Sequence, residues 1–235
     1  MKKLLSIALL STLTFGQEFY SMINPIKTFS VKAAVSGEVV FVNKSLEKNY
    51  VSNKSIVKLD DSLDLVNLEQ TKIKLANQEQ TLKIESDILE SYEKVSSKTK
   101  IDKDGQKMKI LSISSSIADM KMQIANLQNN IKKKNISASD IYISSVEVEV
   151  GDYVNAGGLL YKGYDLSRGK LEIFLPINEI DSFKNKTIYL DGKRSGLKIN
   201  KISKVADEKN ISSYKAEIIV KNPKSFSKLV KVEFK

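Results

Sequence analysis

The chain has no Cys, no His and no Trp, contains only 3 Pro, and draws all but two of its 38 basic residues from Lys, the exceptions being Arg168 and Arg194. Each absence excludes something. Without Cys there is no disulfide, no thiolate nucleophile and no thioether-linked lipid; without His the commonest general base and transition-metal ligand are missing. The remaining fragments of motif do not restore an enzyme. Asp102-Lys103-Asp104-Gly105 resembles the opening of a calcium loop but lacks the third acidic ligand and the closing Glu, so it reads as a turn. Gly157-Gly158 lacks the spacing of a phosphate-binding loop and reads as a β-turn. The sequence therefore implies a protein that is not an enzyme and holds no cofactor or metal. A net charge of +10 invites a nucleic-acid partner, but the scarcity of the Arg fork that favours phosphate and base edges argues against one. The tight run Lys132-Lys133-Lys134 falls where cations complement the end of a helix. No nucleic acid is expected.

What is present begins with Met1-Lys2-Lys3, an apolar run from Leu4 to Phe15 and the small Gly16, the three regions of a secretory signal peptide. The run is too short to span a bilayer, so cleavage near residues 16 and 17 and delivery to a bacterial periplasm are expected, a retained anchor being the alternative. Residues 17–30 read as a short leader.

Helical signals fill residues 61–135. In the first arm Leu68, Leu75, Leu82 and Leu89 recur every seven residues, with Leu65 and Tyr92 extending the stripe. The complementary seam positions, Thr71, Gln78 and Glu85, are polar. In the second arm Ile110, Ile113, Ile117, Met120, Ile124, Leu127 and Ile131 alternate steps of three and four. Between the arms the periodicity lapses, and Asp104-Gly105 is a turn pair, so the chain is expected to reverse there, with Lys98, Thr99, Lys100, Ile101, Asp102, Lys103, Asp104 and Gly105 forming the tip and the partner-binding surface. Arms of roughly 30 to 35 residues at ~1.5 Å per residue project roughly 45 to 50 Å.

The segments flanking this hairpin repeat one another. Aligning Tyr50-Val51 with Tyr153-Val154 also pairs Ser36 with Ser139 and Ile56-Val57 with Leu159-Leu160. Both copies alternate like short strands. The second copy, Gly151-Asp152-Tyr153-Val154 followed by Gly157-Gly158-Leu159-Leu160, resembles half of a lipoyl/biotinyl-like β-sandwich; in the first, Lys48 and Lys54 stand where glycines are expected, with Asn49 and Asn53 beside them to tolerate a left-handed backbone. A split sandwich (31–60 and 136–166) carrying an inserted hairpin behind a signal peptide resembles the periplasmic adaptor family, the HlyD-like membrane fusion proteins. The resemblance implies no prosthetic group, because the hairpin replaces the turn that bears the modified lysine in true lipoyl carriers.

Beyond the sandwich, residues 170–177, 187–190, 197–202, 214–220 and 229–234 alternate like strands, separated by Asp191-Gly192, Ser195-Gly196 and Asn222-Pro223. A small antiparallel barrel over 167–235 is expected, with Asn178-Glu179-Ile180-Asp181 matching an acidic turn common in the family. The fold class is thus mainly β with an inserted coiled-coil hairpin. The resemblance implies an adaptor linking an inner-membrane transporter (RND or ABC type) to an outer-membrane channel in an efflux or export assembly, working as a homo-oligomer. An exported coiled-coil spacer without a transport role is the alternative. Adaptors that dock on TolC-like channels usually present a tip Arg followed by spaced Leu and Ser; no Arg occurs in this hairpin, so the Arg contact does not carry over and a TolC-like partner stays open. A membrane-proximal domain built from both chain ends is not expected, because the leader is short and the chain stops just after the last strand.

Overall fold

The computed structural model describes residues 17–235; the signal segment expected over 1–16 lies outside them. In chain order the elements are β1 (Gln17–Met22), β2 (Asn24–Lys32), β3 (Gly37–Val42), β4 (Tyr50–Val51), β5 (Lys54–Leu59), α1 (Ser62–Lys94), α2 (Lys100–Lys134), β6 (Asn135–Ala138), β7 (Ile141–Val146), β8 (Tyr153–Val154), β9 (Leu159–Pro176), α3 (Ile180–Lys184), β10 (Ile188–Leu190), β11 (Lys193–Arg194), β12 (Ile199–Ile202), β13 (Ser213–Lys221) and β14 (Leu229–Phe234). They group into two units: residues 30–163, and residues 164–235 together with 17–29.

The first unit contains the sandwich and the hairpin. Its two repeats interlock by exchanging their turns. Gly151 N–H donates to Val39 O while Val39 N–H donates to Asp152 O; in the other copy Lys48 N–H donates to Ile143 O while Ile143 N–H donates to Asn49 O. Accordingly β3 pairs with β8 and β7 pairs with β4, each strand of one copy completed by a strand of the other. The core repeats too: Val39 and Ile143, Val51 and Val154, Ile56 and Leu160, and Val57 and Tyr161 are all buried equivalents. All but Val51 and Val154 sit one residue later than the sequence alignment put them. Asn43 N–H donates to Ile56 O just as Glu147 N–H donates to Leu160 O, and the second copy reaches that register through a longer turn over residues 155–158. The missing glycines are resolved as expected at Asn53 and differently at the first turn. Lys48 itself takes the left-handed backbone at φ 60°, where Gly151 has φ 95°, and Asn53 takes φ 50°; neither Asn49 nor Lys54 does.

The second unit is an antiparallel half-barrel. One sheet runs β1-β14-β10-β11; the other contains β12-β13-β9, with Ser213–Lys221 in register against residues 168–176 of β9. Alternation decides which side faces in: Leu171, Ile173 and Leu175, Ala216 and Ile218, and Val230, Val232 and Phe234 are buried at every second position. Phe183 of α3, Phe234 and Phe19 stack edge to face at 5.0–5.9 Å between ring centres. The acidic turn at 178–181 is a short helical turn whose main structural product is the burial of Phe183. Residues 17–30, read from the sequence as a leader, carry strands: Gln17–Met22 pairs with Leu229–Phe234, and Ser21 Oγ accepts from Glu172 N–H at 2.9 Å, so the two ends of the described chain meet in one sheet. The Lys231 ammonium, between the Glu18 and Glu233 carboxylates, is held well above the ordinary lysine range by those bonds.

Candidate functional site

The hairpin is the element with surface to offer. Its arms are 33 and 35 residues long, roughly 50 Å each at ~1.5 Å per residue, and none of their residues belongs to the sandwich core. At the base, Asp60 Oδ1 accepts from Ser62 N–H as α1 begins, and Lys134 closes the pair on Asp64 at 2.6 Å with both side chains mostly buried. The 132–134 lysines do lie in the last turn of α2, with Lys132 and Lys133 exposed, but Lys134 also clamps the base of the hairpin, a role nothing local could reveal because its partner lies on the other arm.

The seam is where the leucine and isoleucine stripes put it. Leu68, Leu75, Leu82 and Leu89 are half-buried, Ile113 and Ile117 are buried, and Met120, Ile124, Leu127 and Ile131 are half-buried. The polar positions also face inward, Thr71 and Glu85 being the most buried residues of α1 at 5% and 8% exposure. Each is satisfied without water. The Thr71 hydroxyl donates back to Asn67 O at 2.7 Å. Glu85 accepts from Gln106 Nε2 at 2.7 Å and pairs with Lys109 across the seam, and these bonds, Lys109 first, hold its carboxyl below the ordinary Glu range. Further acids of α1 meet lysines of α2 along the arms, Glu93 with Lys107 at 3.6 Å and Glu79 with Lys121 at 2.9 Å. Exposed pairs of this kind contribute little stability each, but together with the polar seam they favour one antiparallel register.

The reversal falls in the first half of the stretch where it is expected, 96–105, and not at the Asp104-Gly105 pair. Helix α1 ends at Lys94, and α2 begins at Lys100 behind a capping box in which Thr99 Oγ1 accepts from Asp102 N–H at 3.2 Å and Asp102 Oδ2 accepts from Thr99 N–H at 3.0 Å. That box outcompetes the Asp104-Gly105 turn signal, so residues 100–105 form the first turns of α2. Of the candidate tip residues, Lys98 and Thr99 lie in the connection, and Lys100, Ile101, Asp102, Lys103, Asp104 and Gly105 on the helix. Lys98 is drawn over the Tyr92 ring at 4.2 Å, while Ile101 is 83% exposed.

A second periodicity escaped the sequence reading. Opposite the seam on α2, Met108, Leu111, Ser115, Ala118, Met122, Ala125 and Asn129 are all exposed, step by three and four, and include no charge. On α1 the same spacing gives Leu63, Val66, Gln70, Ile73, Asn77, Gln80 and Ile84, again exposed and uncharged. A count of uncharged heptad positions would have found both stripes. Each is a helix face without a partner in the single chain.

No protein-family model and no curated protein matches the sequence. Solved structures do match the fold. MacA from Actinobacillus actinomycetemcomitans superposes with a TM-score of 0.74 at 17% identity, over 94% of this chain and 78% of that one. The membrane fusion protein Spr0693 from Streptococcus pneumoniae R6 gives 0.72 at 12%, over 93% and 98%. The fold is that of a membrane fusion protein. A MacA-MexA chimera containing the Pseudomonas aeruginosa MexA α-hairpin domain also matches, at 0.72 and 19% identity over 94% and 81% of the two chains. In the membrane fusion protein fold seen here, the split sandwich, the inserted hairpin and the following β-domain occur in the order in which the sequence presents them, and among the described residues no helix is long and apolar enough to cross a membrane.

Proposed function

We propose that this chain is a non-enzymatic periplasmic adaptor subunit, joining an inner-membrane transporter of RND or ABC type to an outer-membrane channel in an efflux or export assembly. One observation carries the reading: a hairpin of about 50 Å inserted between the halves of a sandwich, with a seam that closes it on itself and uncharged stripes left over on both outer faces. A spacer needs the length but has no use for two unpartnered stripes. An adaptor working as a homo-oligomer uses both, the outer face of α1 in one copy packing on the outer face of α2 in the next. Ser115, Ala118 and Ala125 then allow close approach, while Met108, Leu111 and Met122 supply apolar area. The domains read as sandwich 31–60 with 136–166, hairpin 61–135 and half-barrel 167–235 completed by residues 17–29, and the exposed tip around Ile101 is the surface offered to the distal partner.

Affinity purification of the tagged full chain from detergent-solubilised envelopes tests the reading. An RND or ABC transporter recovered in proportion to the tagged chain is the expected result. Recovery of the chain without any transporter, under conditions that retain known envelope complexes, would transfer the weight to the spacer.

A further inference from the structure

The half-barrel is open between β11 and β12, which lie at the edges of separate sheets. At this opening is a cleft of about 710 Å³, lined by Lys184, Lys186, Arg194, Lys198 and Lys201 and by no acidic residue. Elsewhere in the same unit several lysines are neutralised, Lys170 and Lys215 by Glu172, Lys228 by Asp191, and Lys231 and Lys235 by Glu233. Others, such as Lys193, Lys204 and Lys221, have no ion pair among the described residues, and what sets the cleft apart is that its basic residues line one concavity. In the cleft, Lys184 pairs with Asp181 at 2.6 Å, whereas Lys186, Arg194, Lys198 and Lys201 have no ion-pair partner among the described residues. Edge protection accounts for a lysine on β12. It does not account for Lys184, Lys186 and Arg194, which line the cleft from α3, the turn after it and β11.

We propose that this cleft binds a phosphate-bearing anion. The reasoning is chemical. Convergent positive charge in one concavity raises the local potential and suits a compact, multiply charged group better than single carboxylates spread along a peptide. One of the chain's two arginines is placed here, and the guanidinium fork matches phosphate oxygens bidentately, while lysines serve as adjustable point charges. Asn185, Thr187 and Asn200 add neutral polar groups to the lining. The volume falls within the ordinary range of small-ligand sites, about 300–1,000 Å³. Phosphate of this description is carried both by free organic phosphates and by anionic lipid headgroups, and the site chemistry is common to the two.

The test titrates the full chain with pyrophosphate by calorimetry at low salt, and separately floats it with phosphatidylglycerol or phosphatidylcholine vesicles. A cleft variant, R194Q/K198Q/K201Q, is compared with a charge-matched control on the hairpin, K72Q/K74Q/K83Q. All six residues are exposed, and circular dichroism verifies that both variants fold. The expected result is saturable pyrophosphate binding weakened roughly ten-fold or more by the cleft variant and unchanged in the control. Flotation only with phosphatidylglycerol, competed by pyrophosphate and lost in the cleft variant, assigns the headgroup source; pyrophosphate binding without flotation assigns a free phosphate. Equal loss in the two variants means nonspecific charge attraction and overturns the site, as does no binding of either probe.

Discussion

In the sandwich, Val39, Ile56, Val57, Leu59, Ile143 and Leu160 are fully buried, whereas the best-buried apolar residues of the hairpin, Ile113 and Ile117, retain 7% exposure and the seam leucines are only half-covered. The sandwich completes itself, each repeat supplying the strand the other lacks. The hairpin closes one face and leaves its outer faces to solvent. Two elements in one compact unit thus differ in where their stability comes from: the sandwich draws on an interior core, the hairpin on a narrow seam with partners still to be added. That difference is what an arm built for docking requires, and it can be attacked directly.

The largest effect is expected in the sandwich. Ile143→Ala, at a fully buried position, should cost about 3 kcal/mol by loss of transfer energy and cavity formation, read as a shift of the urea midpoint. Leu75→Ala in the half-covered seam should cost about half as much, roughly 1.5 kcal/mol. Equal costs would erase the distinction between the two elements.

The second test concerns acid. Because the folded Glu85 carboxyl is held below its ordinary value of 4.5, its contribution is complete above that value and fades as the pH falls through the lower folded value. Helical melting temperature should therefore drop between pH 7 and about pH 3 by more in the wild-type chain than in Glu85→Gln, which lacks this titration. A parallel drop in both would mean that the Gln106 and Lys109 contacts do not couple Glu85 to the fold.

The smallest effects come from two residues whose types suit each other's positions. Gly105 sits within α2, and a Cβ there meets nothing within 4 Å, so Gly105→Ala should stabilise the hairpin by about 0.7 kcal/mol. Lys48 occupies a left-handed turn, so Lys48→Gly should stabilise the sandwich by about 0.5 kcal/mol, strain relief exceeding the added chain entropy. Thermal melts of both variants check the signs.

These positions also show what the sequence could and could not disclose. Apolar periodicity disclosed the two arms, and alternation located the barrel strands near Leu171, Ile218 and Val232, because each depends on spacing within one element. The repeat was visible from Tyr50-Val51 and Tyr153-Val154. Its exchanged pairing was not, since strand partners are set by tertiary closure. The loop between the arms was legible, but the sequence extends it too far, because Asp104-Gly105 is a strong turn signal, whereas Thr99 and Asp102 act only as a reciprocal pair. Lys134–Asp64 and the Glu85 cluster were beyond reach, each depending on residues brought together by the fold. The outer stripes were legible but overlooked, the seam being the stronger repeat.

The central claim is that the hairpin is the arm through which the protein meets its partners. Photo-crosslinking in cells from a probe at Ile101, with a second probe at Met122, tests it most directly. The account predicts that Ile101 captures an outer-membrane channel protein, and that Met122 captures a second copy of this chain through α1. Capture of soluble proteins alone at Ile101, with no self-adduct at Met122, would contradict it.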